Sequence, residues 1–207
     1  LWRIPELSEK FLFFNDDVFL ISPVDPEKFF QGGKVILRGQ WCLMNEYLLH
    51  KLVINAVKKL FGLKVDTNTK RPGHRDRQQL AAKLIGFSKR YFRLPHMPHV
   101  WRKSTFADFF QKHPQVLVDN IQPKFRSPGQ FVVEALAAHL EISKENVIFD
   151  KRIRNVQLKP SEQFSWRINR KLKGADQSSE YWFTCIQSIE SASPEKQKLI
   201  FDWLDKR

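Results

Sequence analysis

The sequence predicts an α/β protein with a partly parallel sheet and a helical insertion in its first half. Three observations predict it. Residues 11–20, Phe-Leu-Phe-Phe-Asn-Asp-Asp-Val-Phe-Leu, contain short unbroken apolar runs, the pattern of a strand buried on both faces in a parallel sheet. Several later stretches place apolar residues at helical spacing. Short apolar or alternating runs at 34–38, 147–149, 152–158 and 181–186 lie between them and read as further strands.

Taken in order, the first strand meets Asn15-Asp16-Asp17. Asn and Asp are depleted in strands, and Asp is seldom buried unless paired or bound to a metal. The triplet is therefore expected where the strand breaks, at the edge of a cleft. Pro23 and Pro26 mark a loop, and Asp25-Pro26-Glu27-Lys28 opens a short helical turn toward Phe29 and Phe30. Gly32-Gly33 turns the chain into the strand over 34–38. Asn45 can cap a helix with Leu48, Leu49, Leu52, Val53, Ala56, Val57 and Leu60 on its apolar positions, and Gly62 ends it. Residues 66–79 form a polar, turn-rich loop leading to a second helix with Leu80, Leu84, Phe87 and Tyr91 on one face. Two basic helices joined by a loop also fit a helix-turn-helix, although this loop is longer than a DNA-reading turn.

Residues 93–99 cannot be helical, because Pro95 and Pro98 each restrict the residue before them. A helix over 104–112 follows, with Thr105 and Asp108 in capping-box relation and Phe106, Phe109 and Phe110 facing the core. Residues 125–130 are a turn feeding a helix with Phe131, Val132, Ala135, Leu136 and Leu140. Residues 159–180 are mostly polar and hold a short helix or a loop. After the strand at 181–186, Ser193, Pro194 and Glu195 start a final helix carrying Leu199, Ile200, Trp203 and Leu204.

Composition bounds the function. The chain is 42% hydrophobic with 18 Phe and 6 Trp, enough for a large core and against overall disorder. It has no apolar run of about 18 residues, hence no transmembrane helix, and no signal peptide at its start. It begins Leu1-Trp2-Arg3 and leads at once into the first strand, which reads as a piece of a longer protein. Cys42 and Cys185 lie far apart and form neither a disulfide framework nor a zinc spacing; reduced thiols and a cytoplasmic location are the default. A net charge of +13 suits polyanions: nucleic acid, anionic lipid or a phosphate-rich polymer.

Two adjacent carboxylates at a strand end suit a hard cation such as Mg²⁺, and ligands of open α/β sheets bind at such ends. The same residues are common turn formers. His96-x-x-His99 has half of a zinc spacing, with no third or fourth ligand of suitable spacing evident; histidines between prolines also serve simply to hydrogen-bond a loop. The basic stretches at 71–77, 89–93, 102–103 and 167–173 are solvated faces by default.

The run from Leu1 through Ile4-Pro5-Glu6-Leu7-Ser8 to Asn15-Asp16-Asp17 and Leu20 resembles the second conserved region of the Stealth family of hexose-1-phosphate transferases. That family includes bacterial capsule polymerases and the animal enzyme that phosphorylates lysosomal glycoproteins. Leu94-Pro95-His96-Met97-Pro98-His99, with Lys124-Phe125-Arg126-Ser127-Pro128-Gly129-Gln130, is similar to the third region, and Phe183-Thr184-Cys185-Ile186-Gln187-Ser188 to the fourth. Many members carry Asp where this chain has Gln130, and Asn-Asp where it has Gln187-Ser188; the family's first region, with its Trp-Val-Asp-Gly-like signature, has no counterpart here.

The resemblance implies a glycosyltransferase-A-like fold with the catalytic domain starting at 1–44, a basic helical insertion at 45–93 and the remainder of the domain at 94–207. It implies transfer of a sugar-1-phosphate from a UDP-N-acetylhexosamine to a phosphodiester-linked oligosaccharide, with release of UMP, in bacterial capsule synthesis. The family's presumed catalytic histidine falls on His96 and its conserved arginine on Arg126; the chemistry of the residue types then fits His96 as base, Asp16 and Asp17 as ligands of Mg²⁺ or Mn²⁺, and Arg126 as a phosphate clamp. Asn15, His99, Arg102 and Lys103 are the expected substrate contacts. The partners expected are the donor, the acceptor and possible peripheral contact with an anionic membrane at its cytoplasmic face, with no nucleic acid. The competing readings are a non-catalytic polyanion- or nucleic-acid-binding module and an inactive truncated transferase.

Overall fold

The computed structural model describes residues 2–48, 53, 57, 60–61 and 73–207. The chain forms two compact units. One comprises Leu1–Phe11, Gly39–Leu94 and Trp101–Val147; the other comprises Leu12–Arg38, Pro95–Val100 and Ile148–Arg207. Strands β1 (Lys10–Phe13) and β7 (His99–Arg102) contribute residues to both. Six α-helices lie wholly within the described residues, with both parallel and antiparallel strand pairs.

The second unit is built on a three-stranded sheet, β2 (Val18–Leu20), β10 (Phe183–Ile186) and β9 (Asn155–Leu158), in the order β2-β10-β9. Strand β10 runs parallel to β9 and antiparallel to β2. A parallel pair needs a crossover, and α5 (Ser165–Asp176) lies in the connection from β9 to β10. Its Ile168, Leu172 and Ala175 recur at helical spacing and are buried with Val156, Leu158, Ile186 and, from α6 (Pro194–Leu204), Ile200 and Trp203. The hairpin β3 (Phe30–Gln31) to β4 (Lys34–Arg38) turns at Gly32 and Gly33, both at positive φ (55° and 81°), where glycine carries no steric penalty. Buried Arg38 pairs with Asp150 of β8 (Val147–Asp150) at 3.2 Å, donates to the Lys28 carbonyl at 2.8 Å and stacks over Trp182.

In the first unit, β5 (Gln40–Leu43) pairs antiparallel with β6 (Arg90–Arg93). Helices α1 (His74–Leu84), α2 (Lys103–Lys112), α3 (Pro114–Ile121) and α4 (Val133–Ser143) complete it. Gln78 of α1 is buried because it clamps Leu94: Oε1 accepts from Leu94 N and Nε2 donates to Leu94 O. His139 of α4 is fully buried; Nδ1–H donates to Ala135 O at 2.6 Å, and Nε2 accepts from Phe92 N at 3.0 Å. Burial holds its imidazole below the ordinary value, against the opposing effect of the Ala135 bond. A histidine whose pKa is lowered by folding binds its proton more readily unfolded, so its stabilising share is intact above about pH 6.5 and is lost as pH falls toward the lowered value. Urea unfolding between pH 7 and 5.5 should show wild type losing more stability than His139→Gln, with a difference of at most about 1.4 kcal/mol per pH unit. Equal pH dependence in the two proteins would contradict this account.

Several sequence expectations are corrected. Residues 11–20 are two short strands, not one strand buried on both faces: Phe19 and Leu20 of β2 are exposed, because β2 lies at a sheet edge beside antiparallel β10. The second basic helix ends at Leu84, with Gly86 at φ 92°, so Tyr91 belongs to β6 and shares no helix face with Leu80. Thr105 is no cap; it donates to buried Glu141, while Glu9 accepts from Ser104 N at the start of α2. Of the two forms expected for residues 159–180 the structure has the helix, the twelve-residue α5, whereas α3 is not among the elements the sequence predicts. Of the helix expected from Asn45 to Gly62, Asn45–Tyr47 form a 3-10 turn, and Val53, Val57 and Leu60 are helical and exposed. Leu49, Leu52, Ala56 and Gly62 lie outside the described residues.

Candidate active site

Three segments of the second unit converge on Asp17. The first is the turn between β1 and β2, closed by Val18 N donating to Asn15 O at 3.2 Å. The Asn-Asp-Asp triplet is thus both a strand break and a turn, and its position is fixed further by Ile186 N donating to Asp17 O at 2.8 Å. The second segment is the loop from Pro95 to Pro98. Its prolines supply no N–H and keep the loop out of helical geometry, and buried Met97 anchors it. His96 sits in this loop with its carbonyl accepting from Asn155 Nδ2 of β9 at 2.8 Å. The third is β10, the central strand of its sheet, where Cys185 lies opposite Val18.

The side chains meet closely. His96 Nε2 is 3.1 and 3.0 Å from the two Asp17 carboxylate oxygens, and both side chains are about one-quarter exposed. Cys185 Sγ donates to Asp17 Oδ2 at 3.5 Å. The Asn15 amide lies 3.5 Å from His96 Nε2. A carboxylate only accepts, so the contact calls for a proton on Nε2, and in the neutral imidazole that arrangement leaves the lone pair on Nδ1. Burial and then the Asp17 carboxylate push the Cys185 thiol well above its ordinary value, so it is the neutral S–H.

Asp16 and Asp17 also line a cleft of about 370 Å³, with Phe19, Ser188, Glu190 and Phe201. Ser188 has the left-handed backbone that Asn or Asp adopts more readily. Mg²⁺ takes oxygen ligands, commonly one or two carboxylates plus waters and substrate phosphates. The two aspartates on one cleft wall fit that requirement. Because both Asp17 oxygens face His96, Asp16 is the exposed carboxylate better placed to reach such a cation.

Buried His99 lies on β7 in the second unit. The remaining expected residues, Arg102, Lys103 and Arg126, belong to the first unit. There, Nε and Nη2 of Arg102 are shielded from solvent and make no hydrogen bond among the described residues. Lys103 Nζ donates to Pro5 O at 2.9 Å. Arg126 is exposed near Arg77, whose guanidinium is held below its ordinary value by burial and then by Arg126. Gln130 clasps the loop that bears Arg126: Oε1 accepts from Ser127 N at 2.8 Å and Nε2 donates to Asn120 O at 2.9 Å. Sequence reasoning missed Asn155, which anchors the His96 backbone, and the approach of the Cys185 thiol to Asp17.

No family model matches the chain. The receptor polysaccharide phosphotransferase WefC of Streptococcus gordonii is 28% identical over 148 residues, covering 61% of this chain and 41% of that protein. The capsular polysaccharide phosphotransferase of Neisseria meningitidis serogroup B is 55% identical over 33 residues, covering 16% of this chain and 9% of that protein. The capsular polysaccharide phosphotransferase WcwK of Streptococcus pneumoniae is 64% identical over 28 residues, covering 14% and 8%. The chain therefore spans less than half the length of these relatives, and it is similar in sequence to proteins named as polysaccharide phosphotransferases.

Proposed function

We propose that this chain is part of a capsular polysaccharide phosphotransferase of the Stealth type on a glycosyltransferase-A-like scaffold. It transfers N-acetylhexosamine-1-phosphate from a UDP-sugar to a saccharide hydroxyl. The observation that carries the reading is the Asp17–His96 pair, brought together from positions 79 residues apart and flanked by Asp16 on the cleft wall. Similarity to polysaccharide phosphotransferases supports it.

The acceptor hydroxyl oxygen bonds to the phosphorus that bears the sugar, and the bond from that phosphorus to the oxygen of UMP breaks. His96 Nδ1 accepts the hydroxyl proton while Asp17 holds Nε2–H and stabilises the imidazolium that forms, the usual division of labour for a carboxylate-oriented histidine. Asn15 orients the imidazole or a sugar hydroxyl. Asp16 and Asp17 would hold Mg²⁺, which supplies charge neutralisation at the diphosphate when bound. Arg126 is assigned the bidentate phosphate contact that Lys cannot reproduce. Arg102, whose Nε and Nη2 make no hydrogen bond among the described residues, is assigned with Lys103 and His99 to the anionic acceptor.

The test is incubation of the 207-residue chain with UDP-N-acetylglucosamine or UDP-N-acetylmannosamine, an oligosaccharide acceptor and Mg²⁺. Release of UMP is expected. Release of UDP would mean ordinary glycosyl transfer and would end this reading.

A further inference from the structure

We propose that Asp17, His96 and Cys185 form a binding site for a zinc-type divalent cation, and that filling it switches off the transfer reaction; the second half rests on the function proposed above. One carboxylate oxygen, one imidazole nitrogen and one sulfur lie within 4.8 Å of one another. Two of the separations are already short: 3.0 Å from Asp17 Oδ2 to His96 Nε2 and 3.5 Å from Asp17 Oδ2 to Cys185 Sγ. Donors of a tetrahedral zinc are about 3.3–3.5 Å apart, given zinc–nitrogen and zinc–sulfur bonds of about 2.0 and 2.3 Å. Small side-chain movements therefore close a three-donor set with a fourth position left for water or a phosphate oxygen.

The donor chemistry selects the cation. Mg²⁺ and Mn²⁺ favour all-oxygen shells, whereas thiolate and imidazole together select zinc-like ions. The supports are firm as well. Cys185 is on the central strand of its sheet. Asp17 is tied through its backbone to Ile186, and His96 through its carbonyl to Asn155. Such outer contacts orient metal ligands.

Binding replaces the proton that Cys185 Sγ shares with Asp17 Oδ2: the S–H bond breaks, a sulfur–metal bond forms and one proton is released. His96 coordinates through Nε2, so its remaining proton sits on Nδ1. That is the atom assigned to accept the acceptor's proton, so the metal-filled protein has no base.

The experiment is titration of the metal-free 207-residue chain with Co²⁺ followed by Zn²⁺. The expected result is one Co²⁺ per chain, a thiolate-to-cobalt charge-transfer band, and loss of that band as Zn²⁺ displaces Co²⁺. Cys185→Ser should abolish the band. His96→Gln, at a partly exposed position, should weaken binding by more than about tenfold, the lower end of what losing even an outer-shell partner costs. Cys42→Ser should change neither. Absence of stoichiometric binding, a band that survives Cys185→Ser, or one lost with Cys42 would overturn the site. Zn²⁺ filling the site should also lower UMP release about 10²-fold or more, as loss of a general base does; unchanged turnover would overturn the switch. A chain that binds Co²⁺ through Cys185 but never releases UMP would keep the metal site and refute the transferase reading.

Discussion

His96→Ala is expected to lower the rate of UMP release by about 10²–10⁴, the usual share of a positioned general base, while UDP-sugar binding is largely kept. The two effects separate because the imidazole is assigned to the acceptor hydroxyl, not to the nucleotide. His96 is about one-quarter exposed and its backbone is held by Asn155, so truncating the ring opens little buried space and leaves the loop anchored. His96→Gln provides a second variant that can still hydrogen-bond Asp17 yet cannot accept a proton at neutral pH; it should be as slow as His96→Ala. Single-turnover rates and calorimetric titration of the UDP-sugar check both halves. Weakened nucleotide-sugar binding with a normal chemical step would refute the base assignment.

The parts of this site that were legible in the sequence follow from energetic extremes. Asp does not sit inside a buried strand, so Asn15-Asp16-Asp17 had to mark a break, and β1 ends at Phe13 while β2 starts at Val18. Two prolines had to open a loop at His96, and the structure has no helix there. Gly32-Gly33 and Ser193-Pro194 are legible as a turn and a helix start because that chemistry is local. What failed depended on partners distant in sequence. The exposure of Phe19 and Leu20 is set by β10, whose Phe183 and Thr184 pair with them. Tyr91 follows a helical spacing, yet pairing with Cys42 makes it a strand residue. Gln78 and Glu141 look like surface residues and are buried because each satisfies specific polar groups, Leu94 for one and Thr105 and Asn146 for the other. The thiol next to Asp17 comes from 168 residues away, a separation at which no ligand-spacing rule operates.

Asp17→Asn should be nearly as damaging as loss of His96, for a different reason. In the native protein both carboxylate oxygens face Nε2, an arrangement that favours, in the neutral imidazole, the tautomer with its lone pair on Nδ1. An amide at that position can turn its NH₂ toward Nε2. The imidazole then gains by carrying its proton on Nδ1 and accepting at Nε2, which removes the basic atom from the acceptor hydroxyl. A wrong tautomer in an analogous carboxylate–histidine arrangement costs about 10⁴ in turnover, and a loss of about 10³–10⁴ is expected here with little change in KM for the UDP-sugar. A Mg²⁺ titration divides the two duties assigned to Asp17. If Asp16 carries the cation, the midpoint stays where it is while the plateau rate collapses; if Asp17 is also a ligand, the midpoint moves to higher Mg²⁺. A variant that keeps more than about one-tenth of the wild-type rate at saturating Mg²⁺, far above what a displaced general base leaves, would show that Asp17 does not hold His96 for catalysis.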